Sequence, residues 1–437
     1  MMRNIDGAGT IGEKGARAAR RTPPRGVILA AACMAAGLTG ATYAWSVFSG
    51  PLAAAHGWSS SEVSSAYSLY YVFMCAAGFF AGWLQRRVDA RWVVLVGGLL
   101  FSAAWALLGR VGSLPGLYVG FSLCAGVGCG LVYNVAVSAA TRWFPDRRGF
   151  ANGLCIGAVG LAPLVFAPLG GFSVAALPLP DALLLVAAVP FALTLASFWF
   201  VRSAPAELEG ASGEDASGSD GSASSRAESA ADPGARDVSS AAMVKTPLFW
   251  AMFACFFFSA VSGAMVIGHA AGVGIQLVGL IPAQASIQVA LLALGNFLGR
   301  FGFGAVSDRI GRCRTLAVAL ALTFADAAFI VPAAGSFAAL ACALVLLGAC
   351  YGAVLTVMPS LCGDAFGARF FGQNYALLFI GFTAAGFVGP MVGAAIYDAT
   401  GSYAGMFAAA CLFSAVGLLL AFAVSRLSKR YFLHASQ

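Results

Sequence analysis

The sequence predicts an all-α membrane protein: twelve transmembrane helices in two pseudo-symmetric six-helix bundles, with both termini in the cytoplasm. Three observations predict it: the hydropathy profile, the placement of the basic residues, and a repeat at a fixed offset. Of 437 residues, 60% are hydrophobic and 10% charged, whereas a soluble chain carries about a quarter charged residues. A surface so short of charge faces lipid. Crossing the ~30 Å hydrocarbon core takes ~20 apolar residues in a helix. Twelve runs reach that length, at roughly 26–49, 61–84, 92–111, 116–140, 150–172, 181–201, 248–274, 281–305, 314–333, 336–359, 371–395 and 403–425.

The basic residues orient these runs. With the N-terminus in the cytoplasm and the spans alternating, 23 of the 25 Lys and Arg fall on the cytoplasmic side. They include Arg86, Arg87 and Arg91 after span 2, Arg142, Arg147 and Arg148 after span 4, and Arg309, Arg312 and Arg314 after span 8. This is the positive-inside bias, and a miscounted span would have scattered the charges. Arg110 falls outside and Arg300 lies within a span. The net charge of +7 therefore reports topology and not a nucleic-acid partner.

The repeat divides the chain. Arg147 and Arg369, Asn152 and Asn374, and Gly82 and Gly304 are each 222 positions apart. Parallel repeats of this kind are a transporter plan, with the solute site between the halves near the midplane. The predicted organisation is a basic cytoplasmic tail (1–25), a first bundle (26–201), a linker (202–247), a second bundle (248–425) and a cytoplasmic tail (426–437). The linker is rich in Ser, Gly, Ala and acid and lacks aromatic residues, so disorder is expected there. The basic start precedes an apolar run too long for a signal peptide's h-region, so the first span is expected to be retained. The 11 cysteines show neither metal-ligand spacing nor a pairing pattern, and read as small packing residues. Gly pairs at four-residue spacing, such as Gly295 with Gly299 and Gly348 with Gly352, let helix backbones approach closely. No nucleophile–base pairing, metal spacing or phosphate loop is visible. An enzyme is not expected, nor a cofactor.

Between spans 8 and 9 the chain reads GAVSDRIGRCR, Gly304 to Arg314. This run closely resembles the signature of the major facilitator superfamily. The resemblance implies a cytoplasmic charge latch built from Asp308, Arg309 and Arg312, with Arg142, Arg147 or Arg148 as partners. The first-half counterpart, GWLQRRVDAR from Gly82 to Arg91, departs from it, with Arg86 where the acid should stand. RWFPDRRGFANGL (Arg142 to Leu154), YAWSVFSGPLAAAHGWSSSEVSSAYSL (Tyr43 to Leu69), FGQNYALLF and VGPMVGAAIYDATGSY resemble the oxalate:formate antiporter and monocarboxylate transporter branch. That resemblance covers roughly 27–200 and 248–425.

Arg300 is the principal candidate. It lies eight residues before Asp308, hence ~12 Å in from the cytoplasmic end. A mid-membrane Arg costs at least ~2.5–3.5 kcal/mol, and such residues mark a pathway. Its planar guanidinium matches a carboxylate in two-point contact. Asn296, four residues earlier, shares its helix face. In the resembled branch an Arg in this helix grips the substrate carboxylate, with Asp or Asn one turn before. The branch also places cavity tyrosines at Tyr133 and Tyr351. Tyr43, Tyr70 and Tyr71 are weaker candidates, because an interfacial belt accounts for aromatic residues near helix ends.

Dicarboxylate-handling relatives carry a Lys in helix 11, and the corresponding residue here is Phe382. One intramembrane cation favours one carboxylate, so a monocarboxylate is expected over oxalate. Coupling stays open between proton symport and anion exchange. Asp326 is the one carboxylate well inside a span and is read as packing or partly exposed; His269 falls near an outer helix end and is read as incidental. The expected setting is a multi-pass protein of the inner or plasma membrane, probing no partner beyond solute, protons and lipid, and monomeric. Two alternatives compete: drug or metabolite efflux by the same fold, which wants a membrane-embedded acid not visible beyond Glu62, and a non-transporting sensor or scaffold acting through the linker.

Overall fold

The computed structural model describes residues 23–85, 87–144, 148–203, 238–367 and 370–435; the side chains of a few of these are not described. Arg86, Arg147, Arg369, the N-terminal tail and most of the acidic linker lie outside that set. Among the described residues the chain is helical, and we number its spanning helices α1 to α12. The first half holds α1 (Arg25–His56), α2 (Ser60–Leu84), α3 (Ala90–Leu108), α4 (Leu114–Trp143), α5 (Arg148–Leu161 and Pro163–Ala176) and α6 (Leu179–Phe200). The second holds α7 (Pro247–Val278), α8 (Pro282–Ile310), α9 (Arg312–Ile330), α10 (Phe337–Phe366), α11 (Phe371–Thr400) and α12 (Ala404–Ala435).

Among the described residues, eleven of these are long and apolar enough to cross a membrane by length and composition. The twelfth, α2, has 25 residues, a length of ~37 Å at 1.5 Å per residue. Lipid-facing positions elsewhere are large and bare: Phe80 is 68% exposed, Trp199 65% and Leu419 70%. In water such residues would be liabilities; in hydrocarbon they need no partner.

Several helices outrun the sequence-predicted spans. α8 continues through Asp308 and Arg309 to Ile310, and α9 begins at Arg312. The break is Gly311 alone, at φ 93°, a backbone region that penalises any Cβ. The latch residues expected in a loop therefore sit on two helix ends. The linker ends earlier than expected: Ser240–Met243 forms one helical turn. Val238 N–H donates to the Phe366 carbonyl at 3.0 Å, and Asn374 Nδ2 to the Val238 carbonyl at 2.9 Å.

Within the halves α3 packs on α6, α2 on α4, α7 on α11 and α12, and α8 on α10. The two largest seams between the halves are α2 against α11, and α5 against α8; α1 also meets α7. The end where α2 leads to α3 and α8 to α9 carries Arg87, Arg91, Arg309, Arg312 and Arg314. We call it the basic end and its opposite the far end.

The α8–α10 contact is the tightest of these. A Cβ at Gly295 or Gly299 would overlap the carbonyls of Val345 and Ala349, and one at Gly348 or Gly352 would overlap those of Leu292 and Asn296. Only glycine lets the two backbones meet this closely.

Candidate functional site

Irregular helices build one wall of the central site. α1 tightens into a 3-10 turn at Gly40–Ala44, where Gly40 abuts the Val159 carbonyl and Ala162 of α5. Tyr43 sits on this turn. α5 breaks at Ala162, because Pro163 has no N–H to continue the ladder and its ring crowds the preceding turn. Gly160 and Pro163, flanking that break, join Tyr43 in the cavity lining.

The opposite wall is α8, with help from Ile267 and Ala270 of α7. Its lining residues are Val289, Leu292, Ala293, Asn296 and Arg300. They follow the spacing i, i+3, i+4, i+7 and i+11, which is one helical face. Arg300 is half-buried, and its Nε donates to Asn296 Oδ1 at 3.0 Å. The Tyr43 phenol lies beside the same guanidinium. Among the described residues no carboxylate pairs with Arg300. A mid-membrane guanidinium next to a small, mostly apolar cavity is thus held by a neutral amide and a phenol.

Tyr351 of α10 shares the electrostatic neighbourhood of Arg300, Tyr43 and Tyr71. It packs on Phe382 of α11 with ring centroids 5.9 Å apart, and Phe382 on Phe256 at 5.4 Å. Phe382 is 8% exposed, and neither Tyr351 nor Phe382 is among the residues lining the cavity. Tyr133 is half-buried on α4, packed against the core, and is not among the residues lining this cavity.

Tyr70 and Tyr71 do not form an interfacial belt. They stand ten and eleven positions after Ser60, hence ~15 Å into the bundle. Tyr70 is 1% exposed and accepts a hydrogen bond from Thr42 Oγ1 at 2.9 Å. The hydroxyls of Tyr71 and Tyr67 are 3.1 Å apart. Tyr67 was not singled out in the sequence. Its spacing from Tyr71, four residues on one helix face, was the signal available.

At the basic end Arg312 Nη1 bonds Asp308, and donates to Ser307 Oγ at 2.6 Å. Its Nε reaches Asp364 of α10 at 3.4 Å. Arg309 is exposed. The cluster ties α8, α9 and α10 together inside the second half. Asp364 was missed in the sequence because its partner is 52 positions away. The expected partner Arg147 lies outside the described residues.

Two other residues differ from expectation. His269 is well inside α7, 3% exposed, with Nε2 2.9 Å from the Pro390 carbonyl of α11. It is a structural tie between the two helices. Asp326, in a π-helical stretch of α9 (Asp326–Ile330), is fully buried, and neither carboxyl oxygen has a hydrogen-bond partner.

A two-half helical bundle with a guanidinium-bearing cavity at the seam is the architecture of a membrane transporter, not of an enzyme. The chain belongs to the Major Facilitator Superfamily, whose family model matches residues 27–275 and 272–433. It is 28% identical over 361 residues to the oxalate:formate antiporter of Oxalobacter formigenes, covering 82% of this chain and 81% of that one. It is 39% identical to monocarboxylate transporter 11 of Mus musculus over 111 residues, 25% of each chain. Among solved structures, the fold matches a D-xylose–proton symporter with a TM-score of 0.68 at 16% identity, over 91% of this chain and 96% of that one. It also matches a bacterial homologue of the lysosomal transporter Spinster, in an inward-facing and occupied conformation, with a TM-score of 0.66 at 15% identity, over 95% and 97%. The protein is therefore a multi-pass transporter of the cell membrane.

Proposed function

We propose that the protein carries small organic monocarboxylates by alternating access, as a proton symporter or an anion exchanger, with the substrate carboxylate held by Arg300. The observation that carries this reading is the Arg300 guanidinium: it borders the seam cavity and, among the described residues, has no acid paired with it. A carboxylate arriving there supplies the missing counter-charge, and the planar fork favours two-point contact. Asn296 keeps the side chain extended along α8, and Tyr43 offers a further hydrogen bond. Tyr351 and Phe382 close the second-half side with an aromatic surface. With Phe382 where a second cation would serve a dicarboxylate, the site matches one negative charge. The relatives named above support small carboxylates as the solute class; the antiporter is named for oxalate as well as formate, so the preference for one negative charge rests on the residues of the site.

The basic end is assigned to the cytoplasm by the positive-inside rule. The bundles 26–201 and 248–425 are the two units that rock, and the cluster of Asp308, Arg309 and Arg312 with Arg147 is the cytoplasmic gate. The test is uptake of labelled lactate-like and oxalate-like acids by vesicles carrying the protein. Monocarboxylate uptake that is lost in Arg300→Ala and reduced in Arg300→Lys is the expected result. Strong oxalate exchange without monocarboxylate uptake, or wild-type transport by both variants, overturns the reading.

A further inference from the structure

The far end holds a contact that serves neither the cavity nor the basic-end cluster. Asp398, near the end of α11, is exposed. Its Oδ1 accepts from Ser60 N–H at 2.9 Å and its Oδ2 from Ser61 N–H at 2.7 Å. Both donors are the first residues of α2, in the other half of the molecule.

A helix leaves its first N–H groups without internal partners. At α2 they are all accounted for. The capping box of Ser59 and Glu62 is internal to the first half: Ser59 N–H donates to Glu62 Oε2 at 2.8 Å, and Glu62 N–H to Ser59 Oγ at 3.2 Å. Asp398 takes the remaining two. Half of this helix end is thus satisfied by its own half, and half by a carboxylate from across the seam. The positive pole of the α2 dipole adds to that attraction.

The contact is continuous with others at the same end. Ser68 Oγ of α2 donates to the Phe387 carbonyl of α11 at 2.7 Å. On the second seam, Gly171 of α5 sits directly on Ser286 of α8 and near the Pro282 carbonyl. Opening the far end must part all of them. Of these, Asp398 is the one that exchanges a charge-assisted contact for water.

We propose that Asp398 is the far-end latch of the transport cycle: its carboxylate, seated on the N-terminus of α2, sets the balance between the far-end-closed and far-end-open states. This assignment is independent of the solute and of the Arg300 reading.

The experiment is hydrogen–deuterium exchange on the full-length protein in lipid nanodiscs, for wild type, Asp398→Ala, Asp398→Asn, Ser60→Pro and Glu62→Gln. Proline at the first helical position keeps the helix start and removes one N–H donor. The reporter is the Pro282–Ser286 segment on the other seam, which touches none of the substituted residues. Asp398→Ala should speed its exchange by roughly tenfold, the factor that corresponds to ~1.4 kcal/mol. Asp398→Asn and Ser60→Pro should give smaller increases. Glu62→Gln should change only the start of α2. At 1 M salt, where the Debye length is ~3 Å, the wild type should move towards Asp398→Ala, and Asp398→Ala should barely respond. If Asp398→Ala affects only residues 60–62, or leaves the Pro282–Ser286 segment at the wild-type rate, the latch is refuted.

Discussion

Arg300 Nε donates to Asn296 Oδ1 at 3.0 Å, one turn earlier on α8. The amide orients the guanidinium without cancelling its charge. A carboxylate in place of that amide would do both. Asn296→Asp should therefore compete with the substrate while ionised and make uptake proton-dependent, a change the resembled branch tolerates at this place. Lowering the pH protonates that Asp and frees the guanidinium for the substrate. Recovery is thus expected only as the pH is lowered, and a pH ramp of uptake on the variant and the wild type checks it. Identical profiles for the two would remove Asn296 from the site.

The position of Arg300 also depends on a residue that carries no chemistry. A Cβ at Gly352 would overlap the Asn296 carbonyl and lie 3.2 Å from Arg300 Cγ. Gly352→Ala should push α10 from α8 and cost ~1–3 kcal/mol of stability, as overpacking does. The expected signature is a lowered melting temperature together with a raised KM, while Gly302→Ala, whose Cβ meets open space, changes neither.

Phe382→Lys tests the charge count. A lysine there would stand against Tyr351, which neighbours Arg300. Monocarboxylate uptake should fall and dicarboxylate uptake should rise, shifting the ratio by at least tenfold (~1.4 kcal/mol). Competition of unlabelled oxalate against a labelled monocarboxylate reads this directly. An ammonium at the centre of a membrane helix carries an insertion cost of at least ~2.5–3.5 kcal/mol, so expression and monodispersity are measured alongside.

Asp326 gives the opposite kind of prediction. Its carboxyl is fully buried, with both oxygens lacking a hydrogen-bond partner, and replacing such a group by an apolar one of similar size is commonly neutral or stabilising. Asp326→Leu should raise the melting temperature, by an amount matching ~1–3 kcal/mol, with transport retained. Loss of transport in a well-folded Asp326→Leu protein would assign the carboxyl a role in coupling.

Local pattern made much of this legible. Helix number followed from hydropathy and the sidedness of Arg and Lys, because the bilayer imposes both. The core of the site followed from Asn296 and Arg300 on one helix face. Extending the same periodicity back to Val289, Leu292 and Ala293 would have given the whole α8 wall. Contacts between distant segments were not legible. Asp364 meets Arg312 and Asp398 meets Ser60 only once the bundle is assembled, and no spacing along the chain encodes them. The central position of Tyr70 and Tyr71 was missed for a related reason: α2 carries them ~15 Å deep, where a belt of interfacial aromatics cannot lie.

The duplication that relates the halves gives the Asp398 contact a counterpart position. Shifting by 222 residues carries Ser60 to Pro282, which has no N–H to donate, and Asp398 to Ala176, which has no carboxylate. The two copies of one ancestral hinge have thus diverged into a charged one and a neutral one. On this proposal, the charge-assisted contact between the halves at that face rests, among the described residues, on a single amino acid. Descendant proteins could retune which side they rest open to by altering that residue alone, leaving the solute site and its selectivity untouched.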